Sequence, residues 1–309
     1  MRTIFGLLFA FLVFSSCDDG DVITVDLDFD QELSFCNNNT ESFIVYDLRN
    51  DPSESLSLSF PVTGNEVLFE EATTIDMPEE LTINGSTVRF IYRTYNRDIN
   101  DSSVNGEFCD VIQPSDLIIQ EDFESMSGTV EITATVVDDD NDGIPTAFEG
   151  ADPNGDGDFS DSLDTDMDGI FDYLDDDDDN DNVLTEAEID DSDGDDDPTT
   201  NPMDTDEDGT PDYLDTDDDG DLILTIEEDA NRNRNPLDDV SDNNGVLIPL
   251  FRSPIDDIQF PNQELRDDNN YTRTVTTRFI IRDVDIEILR TDFIDLGSLQ
   301  TTITISLDD

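Results

Sequence analysis

Carboxylates recur between residues 138 and 244 at a fixed spacing, and that spacing suits one kind of chemistry, the enclosure of a hard cation by oxygen. In DTDMDGIFDYLD, acidic residues stand at positions 1, 3, 5, 9 and 12 (Asp164, Asp166, Asp168, Asp172 and Asp175), with Gly169 at position 6. Calcium takes about six to eight oxygen ligands at about 2.3–2.6 Å, and a short loop that supplies them from alternate positions must then turn sharply. Gly169 permits the turn because it has no Cβ to forbid positive φ.

The frame recurs along the chain. Asp138, Asp140 and Asp142 are followed by Gly143 and by Glu149 at position 12, where a bidentate carboxylate is expected. Asp177, Asp179 and Asp181 lead to Glu188, with Asn182 at position 6, a residue that enters the left-handed region more readily than most. Asp204, Asp206, Asp208, Asp212 and Asp215, with Gly209, repeat the Asp164 loop. Asp217, Asp219 and Asp221 lead to Glu228, but Leu222 occupies position 6, so a different turn geometry is expected there. Residues 164–188 and 204–228 are copies of one pattern, each holding two loops end to end, and repetition at such a period signals an array. Looser segments beginning at Asp152, Asp191 and Asp229 offer oxygens at positions 1, 3 and 5 without a clear position 12 and are read as partial sites.

Asp175 closes one loop and Asp177 opens the next, which leaves no room for flanking helices of the EF-hand kind. Tandem DxDxDG loops with DGxxDYLDxDxD instead resemble thrombospondin type 3 repeats, over about a third of the chain. The resemblance implies a backbone wound around a row of calcium ions that substitutes for a hydrophobic core. The regular cysteines of the animal family are missing, so disulfide bracing of the loops is not expected. A competing reading is a solvated, disordered acidic segment, the usual fate of like-charge blocks. Against it stand the fixed spacing and the apolar residues Ile170, Tyr173, Leu174, Tyr213 and Leu214 at matching places. Like charges about 6 Å apart in water repel by roughly 0.7 kcal/mol, so the region is expected to expand without divalent cations. Magnesium fits less well, because it retains its waters.

Elements on both sides must hold these loops. Residues 17–137 read as β: alternation appears from Val22, Ser42, Ser55 and Gly128, and Asn84-Gly85 between strand-like runs is a hairpin signal. Phe90, Tyr92 and Tyr95 read as core and edge aromatics rather than a ligand platform. Residues 245–309 return to β from Val246, Thr274 and Thr301. The expected fold is therefore mainly β, with sandwich-like flanks around an irregular, calcium-stabilised repeat region at 138–244. About 60 residues make a thin independent core. The C-terminal strands either form a small separate domain or complete the first sheet, the arrangement preferred here, with Ile303 and Ile305 covering an edge.

At the start, Arg2 precedes an apolar run from Ile4 to Phe14 that is too short to span a bilayer comfortably and reads as a secretory signal over residues 1–16. Ser15-Ser16-Cys17 resembles the lipobox of bacterial lipoproteins, and the acidic residues after it resemble the surface-export signal of Bacteroidota lipoproteins. That resemblance implies acylation of Cys17, attachment to the outer membrane through the N-terminal lipid, and display at the cell surface. An acylated Cys17 leaves Cys36 and Cys109, which either pair as a disulfide in an oxidising compartment or remain buried thiols.

The totals exclude some functions. A net charge of −68 over 309 residues rules out nucleic acid as a natural partner, since phosphate binding needs basic residues. About 43 of the 81 acidic residues lie in 138–244. There is no histidine, hence neither the commonest general base nor the commonest zinc ligand. No nucleophile elbow, histidine-based triad or phosphate loop is present, so an enzyme is not expected. Carboxylate pairs of the kind a glycosidase uses concentrate where cation loops account for them. The expected role is a surface-anchored structural or adhesive lipoprotein carrying several calcium ions and meeting an extracellular glycan or protein; the alternative is a calcium-dependent carbohydrate- or polymer-binding module.

Overall fold

The computed structural model describes residues 29–36, 40–73, 77–100, 106–110, 112–189, 200–243, 245–255, 258–266, 270–286 and 289–306. The signal segment, Cys17, the alternating run from Val22 to Asp28 and the acidic segment opened by Asp191 lie outside these residues.

The structure is mainly β. Period-2 patterning yields β1 (Ser34–Phe35), β2 (Ser42–Asn50), β3 (Ser53–Pro61), β4 (Glu79–Thr82), β5 (Arg89–Tyr95), β6 (Ile119–Glu124) and β7 (Thr129–Thr135) before the acidic region. After it come β8 (Val240–Asn243), β9 (Val246–Pro249), β10 (Asn270–Ile286) and β11 (Leu289–Ser306). Two open sheets form, in the orders β1-β2-β3-β5-β6 and β11-β10-β7-β4. Their inner faces share one core, in which Phe60 and Phe90 from the first sheet lie with Ile132, Phe279 and Ile281 from the second. The rings of Phe60 and Phe279 are 6.0 Å apart across it. Tyr92 and Tyr95 are also buried.

β10 runs antiparallel to β7, pairing Phe279 with Ile132 and Ile281 with Val130, so strands on both sides of the acidic region belong to one sheet. That region leaves the sheet after β7 and returns to it at β10. β11 does not cover an edge, as expected of Ile303 and Ile305, but is itself the edge strand beside β10. Part of its free side is occupied by residues 31–33: the Leu33 N–H donates to the Ser298 carbonyl and the Ser298 N–H to that of Gln31, both at 3.0 Å. Gly297 permits this approach, because a Cβ there would collide with the Gln31 carbonyl.

The Asn84-Gly85 hairpin is corrected. β4 pairs with β7 and β5 with β3 and β6, so the two runs diverge into different sheets. The dipeptide does turn the chain: Asn84 Oδ1 accepts the N–H groups of Ser86 and Thr87 (2.9 Å each) and of Val88 (3.2 Å). The Ile83 N–H, however, donates to Gly128 (2.9 Å), which holds this end of the link to the second sheet. The strand expected from Val246 also finds another partner, pairing with β8 in a two-stranded ribbon. Cys36 and Cys109 are joined in a disulfide with Cα atoms 5.4 Å apart. Among the described residues no helix is long and apolar enough to cross a membrane.

Candidate metal centre

One local hydrogen bond recurs in every complete loop. The position-5 carboxylate accepts the N–H of position 7: Ile144 to Asp142 (2.7 Å), Ile170 to Asp168 (2.7 Å), Val183 to Asp181 (2.8 Å), Thr210 to Asp208 (2.8 Å) and Ile223 to Asp221 (2.7 Å). The N–H of position 6 donates to the position-1 carboxylate at 3.1 Å, from Gly143 to Asp138, Gly209 to Asp204 and Leu222 to Asp217. That bond needs left-handed backbone at position 6, found at Gly143 (φ 104°), Gly169 (101°), Asn182 (76°), Gly209 (102°) and Leu222 (79°). The different turn expected at Leu222 is thereby corrected. Its side chain is 90 % exposed, so packing does not offset the roughly 1–2 kcal/mol such a conformation costs an L-residue. The hydrogen bond to Asp217 and the closure of the loop impose it.

The partial segments at Asp152 and Asp229 share the frame. Asp152 accepts the N–H groups of Gly155 (2.8 Å), Asp156 (3.1 Å) and Gly157 (2.9 Å), and Asp229 those of Arg232 (2.5 Å), Asn233 (3.2 Å) and Arg234 (2.8 Å). Their amide side chains turn inward: Asn154 donates to Asp161 (2.5 Å), and Asn231 and Asn233 donate to Asp238 (2.7 and 2.8 Å).

Position 9 has a use that spacing did not announce. The two oxygens of Asp172 accept the N–H and the hydroxyl of Thr165 (2.8 Å each), and those of Asp212 accept the same groups of Thr205 (2.7 and 2.8 Å). In the other three loops the pair is reversed, with aspartate at position 2 and threonine at position 9. There the N–H groups of Asp139, Asp178 and Asp218 donate to the hydroxyls of Thr146 (3.0 Å), Thr185 (3.2 Å) and Thr225 (3.4 Å). At position 12, Asp175 and Asp215 accept the N–H of Asp177 (3.2 Å) and Asp217 (3.1 Å), which joins consecutive loops.

Several groups of these carboxylates could hold a metal ion. Oxygens lie within 4.8 Å of one another in the sets Asp138, Asp140, Asp142; Asp164, Asp166, Asp168; and Asp177, Asp179, Asp181. Two further sets reach between loops: Asp142 and Glu149 with Asp178, and Asp181 and Glu188 with Asp218. Asp178 and Asp218 were not singled out by the spacing, since position 2 supplies no ligand in a single isolated loop.

The electrostatics test whether a cation fits. Both oxygens of Glu149, Asp177, Asp179 and Glu188 are buried without a hydrogen-bond partner, as is one oxygen each of Asp140, Asp142, Asp181, Asp219 and Glu228. Burying a carboxylate without compensation costs several kcal/mol. Burial pushes Glu149 up to about 10, Asp178 up to about 11 and Glu228 up to about 9, and neighbouring carboxylates add to each shift. A hard divalent ion at these all-oxygen sites would convert that repulsion into attraction.

Arginines from the C-terminal part reach the same region. Arg273 of β10 meets Asp139 at 3.0 Å, Arg266 meets Asp176 at 3.3 Å and Asp177 at 3.8 Å, and Arg252 meets Asp212 at 3.5 Å. The segment carrying Arg266 lies along the loops: the Asn182 side chain donates to the Glu264 carbonyl (3.0 Å) and accepts the Arg266 N–H (2.8 Å), and the Phe260 N–H donates to Glu227 (2.7 Å).

Compared with known proteins, the chain matches no family model, no curated protein and no solved structure.

Proposed function

We propose that the chain is a calcium-binding, cell-surface-anchored lipoprotein of structural or adhesive role, in which residues 138–244 form a thrombospondin type 3-like array ordered by the ions. The observation that carries this reading is the set of buried, unpartnered carboxylate oxygens held in a repeated backbone frame. Calcium suits them better than magnesium because the donors are numerous, all oxygen, and carried on irregular loops. Asp138, Asp140, Asp142 and Glu149 would hold ions in the first loop, and the corresponding residues of the other loops would do so in turn. The ions would supply positive charge where the chain supplies almost none, and the two-sheet body would anchor both ends of the stiffened region.

Lipid attached at Cys17 would tether the chain to the outer membrane, leaving the loops and sheets to meet an extracellular glycan or protein. A calorimetric calcium titration of the chelator-treated full-length protein tests the metal part. About five or more ions, one for each complete loop, are expected, and none bound would overturn it. Membrane fractionation of Cys17→Ala tests the anchor, with release from the membrane expected and full retention counting against it.

A further inference from the structure

The carboxylate at position 2 recurs in three loops, and an arginine faces the first of them. The first, second and third loops that carry aspartate there begin at Asp138, Asp177 and Asp217, about 40 residues apart. In the first, Asp139 Oδ2 accepts the Thr146 hydroxyl (2.9 Å) and Oδ1 points out of the loop to the Arg273 guanidinium (3.0 Å). In the third, Asp218 Oδ1 accepts the Thr225 hydroxyl (3.1 Å). Its Oδ2 has no partner and sits with Asp181 and Glu188 of the second loop. In the second, Asp178 likewise has an unpartnered Oδ1 and sits with Asp142 and Glu149 of the first. Asp178, Asp218 and Glu188 are 1–2 % exposed, so water does not solvate these oxygens. Threonine holds the carboxylate from behind at both ends of the series. In the first loop the outward oxygen meets a positive charge supplied by the sheet; in the other two, carboxylates of the preceding loop lie within 4.8 Å.

We propose that Asp178 and Asp218 are metal ligands in trans, each completing an ion site of the preceding loop, so that loops 40 residues apart are joined through shared cations. The ion between the second and third loops takes oxygens from Asp181 and Glu188 on one side and Asp218 on the other. The ion between the first and second takes them from Asp142, Glu149 and Asp178. Arg273 performs the equivalent service for Asp139, where no preceding loop exists, and so docks the series on β10. Ion occupancy in one loop thereby depends on the presence of the next, and loading is cooperative along the chain. This inference rests on the calcium reading above.

The test is hydrogen exchange of the full-length protein, with and without calcium, in Asp218→Asn and Asp178→Asn. Asparagine keeps the size and the backbone bond to threonine but removes the charge. Asp218→Asn is expected to lower the apparent calcium affinity of 177–188 by about tenfold or more, seen as calcium protection lost in that loop, while 217–228 keeps its own. Asp178→Asn shifts the loss to 138–149. Protection lost only in the substituted loop, or unchanged in both, overturns the ligand in trans while leaving calcium binding itself intact. If the unsubstituted protein gains no protection with calcium, the calcium reading fails first, and this inference with it. As a second readout, Asp139→Asn should loosen 138–149 against the sheet without lowering the number of ions bound; a lost ion would show that Asp139 is a ligand and not the partner of an arginine.

Discussion

The two halves of this molecule bury opposite things. The paired sheets bury phenylalanine, isoleucine and leucine around Phe60, Phe90 and Phe279. Among the described residues of 138–239, only Ile144, Ala151, Val183 and Pro236 are buried apolar side chains, against fifteen buried aspartates and glutamates. The sheets are stabilised by removing apolar surface from water, a term that needs no ligand. The loops gain almost nothing from that source, so their compactness must be supplied by local hydrogen bonds and, as proposed here, by bound cations. Stability in the first region is a property of the chain; in the second, on the calcium reading proposed above, it depends on the solution.

Chelation should separate the two most sharply. With excess chelator, backbone amides of 138–239 are expected to lose protection while those of β3, β5, β7 and β10 keep it; equal protection in both regions would erase the distinction. The next largest effect is that of pH on the chelated protein. Glu149, Asp178 and Glu228 have folded-state values raised by burial to about 10, about 11 and about 9. Their contribution to compactness is fully present below the unfolded carboxylate range near 4, and is lost as pH rises towards 9–11. Small-angle scattering in chelator should show expansion over that window. With calcium present the trend reverses, because ligands must be deprotonated to bind.

Substitutions sharpen the comparison from the side of the sheets. Phe279→Ala, at the centre of the shared core, should cost about 3–5 kcal/mol in a denaturant melt of the sheets and leave the number of bound ions unchanged. Removing the Cys36–Cys109 bridge with a double serine substitution opens a link between residues 73 apart, which in the chain-entropy model is worth about 4 kcal/mol. That loss should again spare calcium binding. The smallest effect belongs to Leu222→Gly, which relieves a left-handed leucine and should tighten the 217–228 loop by about 1 kcal/mol, measurable as a modest gain in calcium affinity. A loss there would mean that the exposed leucine has a contact of its own.

Much of the candidate site was legible because a cation loop is local. Twelve residues contain the alternate carboxylates, the turn at position 6 and the closing acid, so Asp138 to Glu149 could be read without knowing anything beyond them. Leu222 was misread for an instructive reason: residue preference argues against a left-handed leucine, but loop closure and the hydrogen bond to Asp217 outweigh one unfavourable residue. The segments at Asp152 and Asp229 were read as partial because they lack a position 12, yet the frame depends on the position-1 carboxylate, which both possess. Asp178 and Asp218 carry no such signal, because position 2 supplies no ligand in a single isolated loop.

The fold divides in the same way. Alternation in β2, β3, β7 and β10 depends on neighbours two residues apart, and the strands follow it. Asn84-Gly85 turns the chain as its chemistry requires, but whether two strands pair across a turn depends on what else competes for their edges. Here β7 took β4, while β3 and β6 took β5. The pairing of β10 with β7 likewise joins residues about 150 positions apart. Spacing and residue type therefore determined the frame of the acidic loops, the strands and the acidic character of the region, since each of these is settled within a dozen residues. Tertiary structure decided which strands share a sheet, which arginine meets Asp139, and which loop Asp218 faces, because those contacts join parts of the chain that only folding brings together.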